Sequence, residues 1–354
     1  MSKKNSKKHL FISLFIAAFF IIFLFCFESG IQIRKIWFGS PIKILVLVYG
    51  NDKVSSGRLD AFAVYMDRKQ NLIKVLSIDT DIIEPNGKGA LRKSFNKTAE
   101  TDIELAKKNF YASLNKVLDD KFKPDYYISA SFEDLSSLLI TYGKLSKLIL
   151  KDDFNNSDDR EINSLQIFDT LLSRFETMSV ISGLGIPLNL DKFNTKLSRA
   201  FFYNLALYFA LYKNDLLFCI LPARKTSLGV EPIKNDISDF FENIFFADID
   251  NDNGRLDGFI DIKNASKKQG AAQSAAWLLR KENLDVLDYS NSGISSDKTI
   301  IKDYKGNLLQ ANKIAQVLEC GKIIISYDSN NNYDTTVFIG KDYKNRGIKK
   351  NGKL

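Results

Sequence analysis

The sequence predicts an α/β protein: a layered α-β-α domain and a smaller C-terminal α/β domain, preceded by one transmembrane helix. Three observations predict it. Residues 10–27 carry no charged side chain. From Lys43 onward, short apolar runs rich in β-branched residues alternate with stretches of helical periodicity, the pattern of helices packed on a sheet. A polar run at 247–257 divides that alternation into a longer and a shorter series.

Leu10–Phe27 is built almost wholly of Leu, Ile, Phe and Ala, and at 1.5 Å per residue it reaches about 27 Å, enough to cross a thin hydrocarbon core. Lys3, Lys4, Lys7 and Lys8 precede it and Glu28 follows. The positive-inside rule therefore leaves the tail 1–9 in the cytoplasm and the rest beyond the membrane, in the periplasm or at the cell surface. A cleaved signal peptide is the competing reading. Bulky Phe27 stands where a small residue is wanted before a cut, and Leu24 and Phe25 before Cys26 do not suit a lipoprotein site, so an uncleaved signal-anchor is favoured.

After the linker 28–41, Lys43–Tyr49 reads as a buried strand ending at Gly50. Ala61–Met66 and Leu72–Ile78 read as two strands of a hairpin turning through Asp67–Asn71. Thr101–Leu118 has helical spacing, Asp125–Ser129 reads as a strand and Phe132–Ile140 as a helix. Ile162–Phe175 and Phe193–Tyr212 are further helices before the strand Leu216–Leu221. This larger domain runs from 42 to 246. In the smaller one, 258–344, strands are expected at Phe259–Lys263, Leu284–Tyr289, Lys322–Tyr327 and Thr335–Ile339, with helices at Gln269–Lys281 and Leu308–Leu318. The tail 345–354 is basic. Asp248, Asp250 and Asp252 imitate the start of a calcium loop. Asn253 at the sixth place and Phe259 at the twelfth break the pattern, which leaves 247–257 as a polar linker.

Composition narrows the chemistry. The net charge is +8, but part of it lies in the N-terminal lysines and the rest is interspersed with acids, which describes a mildly basic surface rather than a nucleic-acid binder. The single histidine, His9, is in the tail, so a Ser-His-Asp triad, a Cys-His pair or a His-ligated metal in the folded body is excluded. Cys219 and Cys320 are open to two readings, a disulfide or two separate buried thiols. What remains for chemistry is carboxylates, Lys, Arg and hydroxyls.

Several segments carry a resemblance. Ile260-Asp261-Ile262-Lys263-Asn264-Ala265, the Ala-rich stretch Gly270–Leu279, Leu284-Asp285-Val286 and the closing Thr335–Asp342 follow the order of the LytR_C domain that is appended to LytR-CpsA-Psr (LCP) envelope proteins. Upstream, Gly50-Asn51-Asp52, Ser56–Asp60, Leu76–Asp81 and Asp125–Tyr127 with Phe132–Leu135 resemble, in order, the motifs of a divergent LCP catalytic domain. The resemblance implies transfer of a glycopolymer from an undecaprenyl-pyrophosphate carrier to peptidoglycan. It also implies Mg²⁺ as cofactor, because cations and a divalent ion neutralise charge developing on the pyrophosphate.

By the same resemblance Arg58 binds the pyrophosphate, Asp60 and Asp81 act with it and hold Mg²⁺, and Lys196 and Arg199 assist from one helix face. The hairpin, read alone, puts Arg58 and Asp60 beside Asp79–Asp81, where they make a phosphate site or merely cap strand ends in solvent. The sequence departs from the family at Asp79, where Pro is expected, at Thr80, where Arg is expected, and near Ile167–Leu172, where an Arg-x-Arg segment has no equivalent. The alternative to a transferase is a non-catalytic envelope module that binds wall polymer or a partner protein.

Overall fold

The computed structural model describes residues 34–50, 59–69, 72–84, 89–131, 216–227, 229–247 and 256–344, with scattered positions between 201 and 211. The predicted membrane segment, the helices expected at 132–140 and 162–175, and the calcium-like stretch 248–252 lie outside these residues. Among the described residues no helix is long and apolar enough to cross a membrane. The chain divides into two compact units, Met1–Ile73 with Pro124–Leu216, and Lys74–Lys123 with Leu217–Leu354.

In the first unit, β1 (Ile42–Tyr49) lies between β2 (Leu59–Asp67) and β4 (Tyr126–Ser131). β1 and β2 are antiparallel, with Ile42 opposite Met66 and Tyr49 opposite Leu59; β1 and β4 are parallel, with Ile44 opposite Tyr126. Asp125 sets that second register. Its carboxylate accepts the Lys43 N–H at 2.9 Å, and its own N–H donates to the Lys43 carbonyl at 2.8 Å. β2 is buried at nearly every position, as a strand covered on both faces must be. The turn after it is an Asx turn, with Asp67 accepting from the Lys69 N–H at 2.9 Å.

A small aromatic corner tops this unit. Trp37 Nε1 donates to Asn204 Oδ1 at 2.7 Å and its ring meets Tyr208 edge-on at 5.8 Å. Arg68 donates to the Trp37 carbonyl at 2.5 Å and stands 5.5 Å from its ring centroid.

Among the described residues the second unit holds seven strands of one sheet in the order β3-β5-β11-β10-β12-β8-β9 and a separate two-stranded sheet, β6-β7. β3 is Leu72–Ile78, whose residues from Lys74 on belong here, and β5 is Leu216–Ile220. β8 is Ile260–Asn264, β9 Val286–Asn291, β10 Ile300–Asp303, β11 Lys322–Ser326 and β12 Thr335–Ile339. β5 runs parallel to β11, with Phe218 opposite Ile324, so a strand read as part of the larger domain joins the C-terminal strands.

Five helices are described in this unit: α1 (Leu91–Ala99), α2 (Ile103–Val117), α3 (Lys234–Phe240, continued by a π turn Phe241–Phe245), α4 (Ala271–Lys281) and α5 (Leu308–Leu318). Asp102 caps α2 by accepting from the N–H groups of Glu104 and Leu105. α4 starts at Gly270, which has φ 74°, a left-handed conformation that suits glycine. α4 and α5 cover one sheet face through Ala275, Leu279, Ala311 and Ile314 against Ile262, Ile301 and Val337.

Among the described residues, α1, α3 with its π turn, the hairpin of β6 (Ala223–Thr226) and β7 (Gly229–Pro232), and β10 were not read from the sequence. Each is short, with too few turns or residues to show a period. The strand read at Leu284–Tyr289 is shifted to Val286–Asn291 because Asn283, at φ 62°, ends the preceding turn, and the Leu279 carbonyl still accepts the Leu284 N–H at 3.1 Å. Cys219 is buried and Cys320 half-buried, and both are free thiols.

Lys121 and Glu242 form an exposed pair at 2.6 Å. The hydrogen bond, and then the charge, hold Glu242 below its ordinary value and raise Lys121 above its own. A depressed carboxylate stabilises the fold above its unfolded pKa and loses that effect as pH falls through its folded pKa. A raised lysine loses its effect only as pH rises through the raised value. Lys121→Met should therefore flatten the acid limb of a urea-midpoint profile between pH 7 and pH 3 in low salt, and change nothing in 1 M salt; a difference that survives high salt would contradict this.

Candidate functional site

Of the residues expected to carry chemistry, Arg58, Lys196 and Arg199 lie outside the described residues. Asp60 is in the first unit, on β2 opposite Val48, and is half-buried. Asp81 is in the second unit, in the turn that follows β3. The structure brings Asp81 together with a residue outside the predicted set, Arg92.

That pairing is built from the backbone up. β3 ends at Ile78, and Asp79 folds the chain over by accepting the Asp81 N–H on its Oδ1 at 2.8 Å. The turned carbonyls then receive the start of α1: Arg92 N donates to Thr80 O at 2.8 Å and Leu91 N donates to Ile82 O at 2.9 Å. Ala90, the N-cap, offers no side-chain oxygen, so these carbonyls satisfy N–H groups that a helix otherwise leaves open. The docking buries Thr80 and sets Arg92 in the first helical turn. Its Nη2 meets Asp81 Oδ1 at 2.8 Å, with the two side chains 35% and 20% exposed.

The β6–β7 hairpin docks on the same turn. Ile82 pairs in parallel with Val230, and Ile83 N donates to Val230 O at 2.9 Å. Gly229 (φ 142°) lies close against Ile83, where a Cβ would come within 3.2 Å of its side chain. Lys225 stands opposite Val230, about 10 Å (two strand spacings) from Ile82. Beside it Arg224, 71% exposed, reaches Glu231 at 3.5 Å.

Chemically this is a cation held by a carboxylate, with two further cations on a neighbouring hairpin. A guanidinium has five N–H donors in a rigid fork, and the pair with Asp81 engages one edge of it. Such an Arg is pre-oriented for a phosphate. As for Mg²⁺, no group of three or more His, Cys, Asp or Glu able to hold a metal is found among the described residues, and Asp81 already meets a guanidinium. Those residues do not by themselves make a divalent-ion site. Arg92 had a local signal: Leu91 and Phe95, four apart and both buried, mark a helix face that starts just after Gly89.

The C-terminal region defines the class. Residues 259–343 match the LytR_C family model, described as LytR cell envelope-related transcriptional attenuator, and this bears out the resemblance read over 258–344. The chain thus carries a LytR_C domain. Among solved structures the chain is similar to Bacillus subtilis TagU, with 14% identity over 57% of this chain and 94% of that one at a TM-score of 0.40. It is also similar to Lin1025 of Listeria innocua, with 13% identity over 57% of this chain and 96% of that one at a TM-score of 0.39. A third is TagT bound to LIIa-WTA, with 13% identity over 57% of this chain and 88% of that one at a TM-score of 0.40. No curated protein matches the chain significantly.

Proposed function

We propose that the protein is a membrane-anchored cell-envelope protein of the LCP kind, acting on glycopolymers linked to a polyprenyl pyrophosphate and on peptidoglycan as acceptor. The observation that carries the reading is the LytR_C domain at 259–343, found behind the ordered LCP-like motifs of residues 50–135. The anchor is the uncharged run 10–27, with the N-terminus in the cytoplasm and the domains outside. The first described residues suit a position close to a headgroup layer: Phe38 is 74% exposed, with Lys35 nearby in sequence and Arg68 5.9 Å from its ring.

In this reading Arg58, Lys196 and Arg199 bind the pyrophosphate, and Arg92 is a further cation suited to a phosphate. Asp60 and Asp81 are the carboxylates of this reading, and a Mg²⁺ ion, which would neutralise charge on the leaving pyrophosphate, would need ligands beyond these two. Asp81 also orients Arg92, so the cation the family carries at position 80 is replaced in function by one from α1.

Arg92→Ala is expected to lower polymer transfer about 10²-fold or more, as loss of one oriented donor to a developing anion does, while Arg92→Lys restores only part of it. The assay is transfer of a lipid-linked polymer to peptidoglycan by the full chain. Wild-type transfer by both Arg92→Ala and Asp81→Ala would rule out this site. The second reading, a non-catalytic module that binds wall polymer or a partner, is favoured by buried Thr80 in place of the family's Arg. It predicts wall association that survives Arg58→Ala and Asp81→Ala and is lost on deleting 258–344.

A further inference from the structure

One end of the LytR_C sheet gathers lysines. β8, β9 and β12 are mutually parallel, and β10 and β11 run against them, so the carboxyl ends of the first three lie beside the starts of the other two. Three loops meet at that end and are tied by backbone hydrogen bonds. Ser296 N donates to Ala265 O at 2.9 Å, Lys341 N to Ser296 O at 3.0 Å and Asp342 N to Asp297 O at 3.1 Å. From these loops come Lys267, Lys268, Lys298, Lys341 and Lys344, all of them exposed. At the opposite end Asp257, Asp285, Asp328 and Asp334 offset the cations, so the excess belongs to one end.

The fold does not neutralise this charge. Lys341 meets Asp297 at 2.7 Å, and the Asp342 carboxylate is engaged by Thr299. Lys268 Nζ donates to two neutral carbonyls, those of Lys341 at 2.6 Å and Tyr343 at 3.2 Å. Among the described residues the ammonium groups of Lys267, Lys298 and Lys344 form no ion pair. Lys322, which starts β11, and Glu319, which caps α5, also lie at this end and offset each other. Six lysines therefore stand against three acids, an excess of three positive charges. Lysines gathered in this way repel one another, and an external polyanion relieves that repulsion.

We propose that this end of the LytR_C domain rests on an anionic lipid surface, the headgroup layer of the membrane that holds the chain. Three features favour lipid over a chain-like polyanion. The lysines come from three separate loops at a sheet end, not from one strand or helix along which a polymer would lie. The loops offer no ring for a base or a sugar to stack on, because Tyr343, their one aromatic, is 1% exposed. Their cations are ammonium groups on flexible stems, which suit a mobile layer of headgroup phosphates. The guanidinium fork that grips a single phosphate is missing from these loops. A domain already tethered loses little freedom on settling against the surface, so three excess charges favour the docked orientation about 10²-fold. The proposal rests on the anchored reading of the chain and adds a second, electrostatic attachment to it.

The test is lysine acetylation by an N-hydroxysuccinimide ester, read by mass spectrometry. The full chain is reconstituted into phosphatidylcholine vesicles with or without phosphatidylglycerol. With phosphatidylglycerol, Lys267, Lys298 and Lys344 should be acetylated about tenfold more slowly or less, while Lys281, at the far end of α4, should not change. The protection should vanish in about 1 M salt. Lys267→Gln, Lys298→Gln and Lys344→Gln combined should also release Lys268 and Lys341, with a thermal midpoint within about 2 °C of wild type, since none of the three ammonium groups is paired within the described fold. Equal acetylation in the two vesicles, protection that persists in high salt, or equal protection by dissolved polyphosphate in neutral vesicles would each overturn the proposal. Retention on neutral vesicles after an alkaline wash reads the anchor alone, so its failure is distinct from failure of the lysine face.

Discussion

Replacing Lys74 by alanine is expected to remove about 3–5 kcal/mol of stability, among the largest effects of any single change in the described fold. Lys74 lies on β3 with 1% of its surface exposed, yet it is a charged residue. Its ammonium is matched by two carbonyls at the end of the π turn, Ile244 O at 2.7 Å and Ala247 O at 2.8 Å. A cation there also answers the negative end of the α3 helical segment. Alanine leaves those buried carbonyls without a donor and opens a cavity the length of the lysine stem. Lys74→Met fills the cavity without restoring the donor, so it should fall between alanine and wild type.

The measurement is the urea midpoint followed by circular dichroism, with the thiol of Cys219 as a local probe. Burial pushes that thiol up to about 12, with Lys74 opposing the shift and Asp303 adding to it. In the wild type it should react only through unfolding, and in Lys74→Ala much faster. An alanine variant within 1 kcal/mol of wild type would show that the two carbonyl bonds contribute little.

Gly340→Ala is expected to cost about 3 kcal/mol or more, at the upper end for overpacking. Gly340 follows β12 and lies directly against the backbone of Lys298 and Thr299, so an added Cβ would press on Lys298 C and O and sit 2.5 Å from Thr299 N. These are backbone atoms and have nowhere to move. Gly340 N donates to Thr299 Oγ1 at 3.0 Å, and Asp342 Oδ1 accepts from Thr299 N at 2.7 Å and Thr299 Oγ1 at 2.8 Å. The turn after the last strand is thereby clasped to the start of β10, and a shift at Gly340 breaks all three bonds together. Gly293→Ala is the control: nothing lies within 4 Å of its added Cβ, and it should change the thermal midpoint by no more than about 1 °C. Equal midpoints for the two variants would contradict the close-approach account.

Much of the C-terminal region was legible in order because its strands and helices are regular and each buries one face. α5 and β12 occupy the stretches read from periodicity, and α4 starts within two residues of its expected position. The free state of Cys219 and Cys320 agrees with the reading as separate thiols. Less of the candidate site was legible. Asp81 was singled out as a charge at a strand end, but its partner Arg92 lies on a nine-residue helix that was not read. Lys74 sits in the apolar run LIKVLSI, which marks a strand and gives no reason for its lysine. Asp261 likewise reads as one polar residue in an alternating strand.

By itself, the sequence determined the uncharged N-terminal run with its flanking lysines, the α/β alternation, the exclusion of histidine chemistry and the LytR_C domain. These follow from local periodicity and residue type, which act over a few residues and leave their mark in order along the chain. Only the tertiary structure decided that β5 joins β11, that Arg92 answers Asp81, that Lys74 answers the carbonyls of residues 244 and 247, and that Asp261 is buried with one oxygen unmatched. The reason is that a charge finds its partner through the register of strands and the docking of helices far apart in sequence. Those are set by how buried surfaces fit together, and no repeat along the chain encodes them.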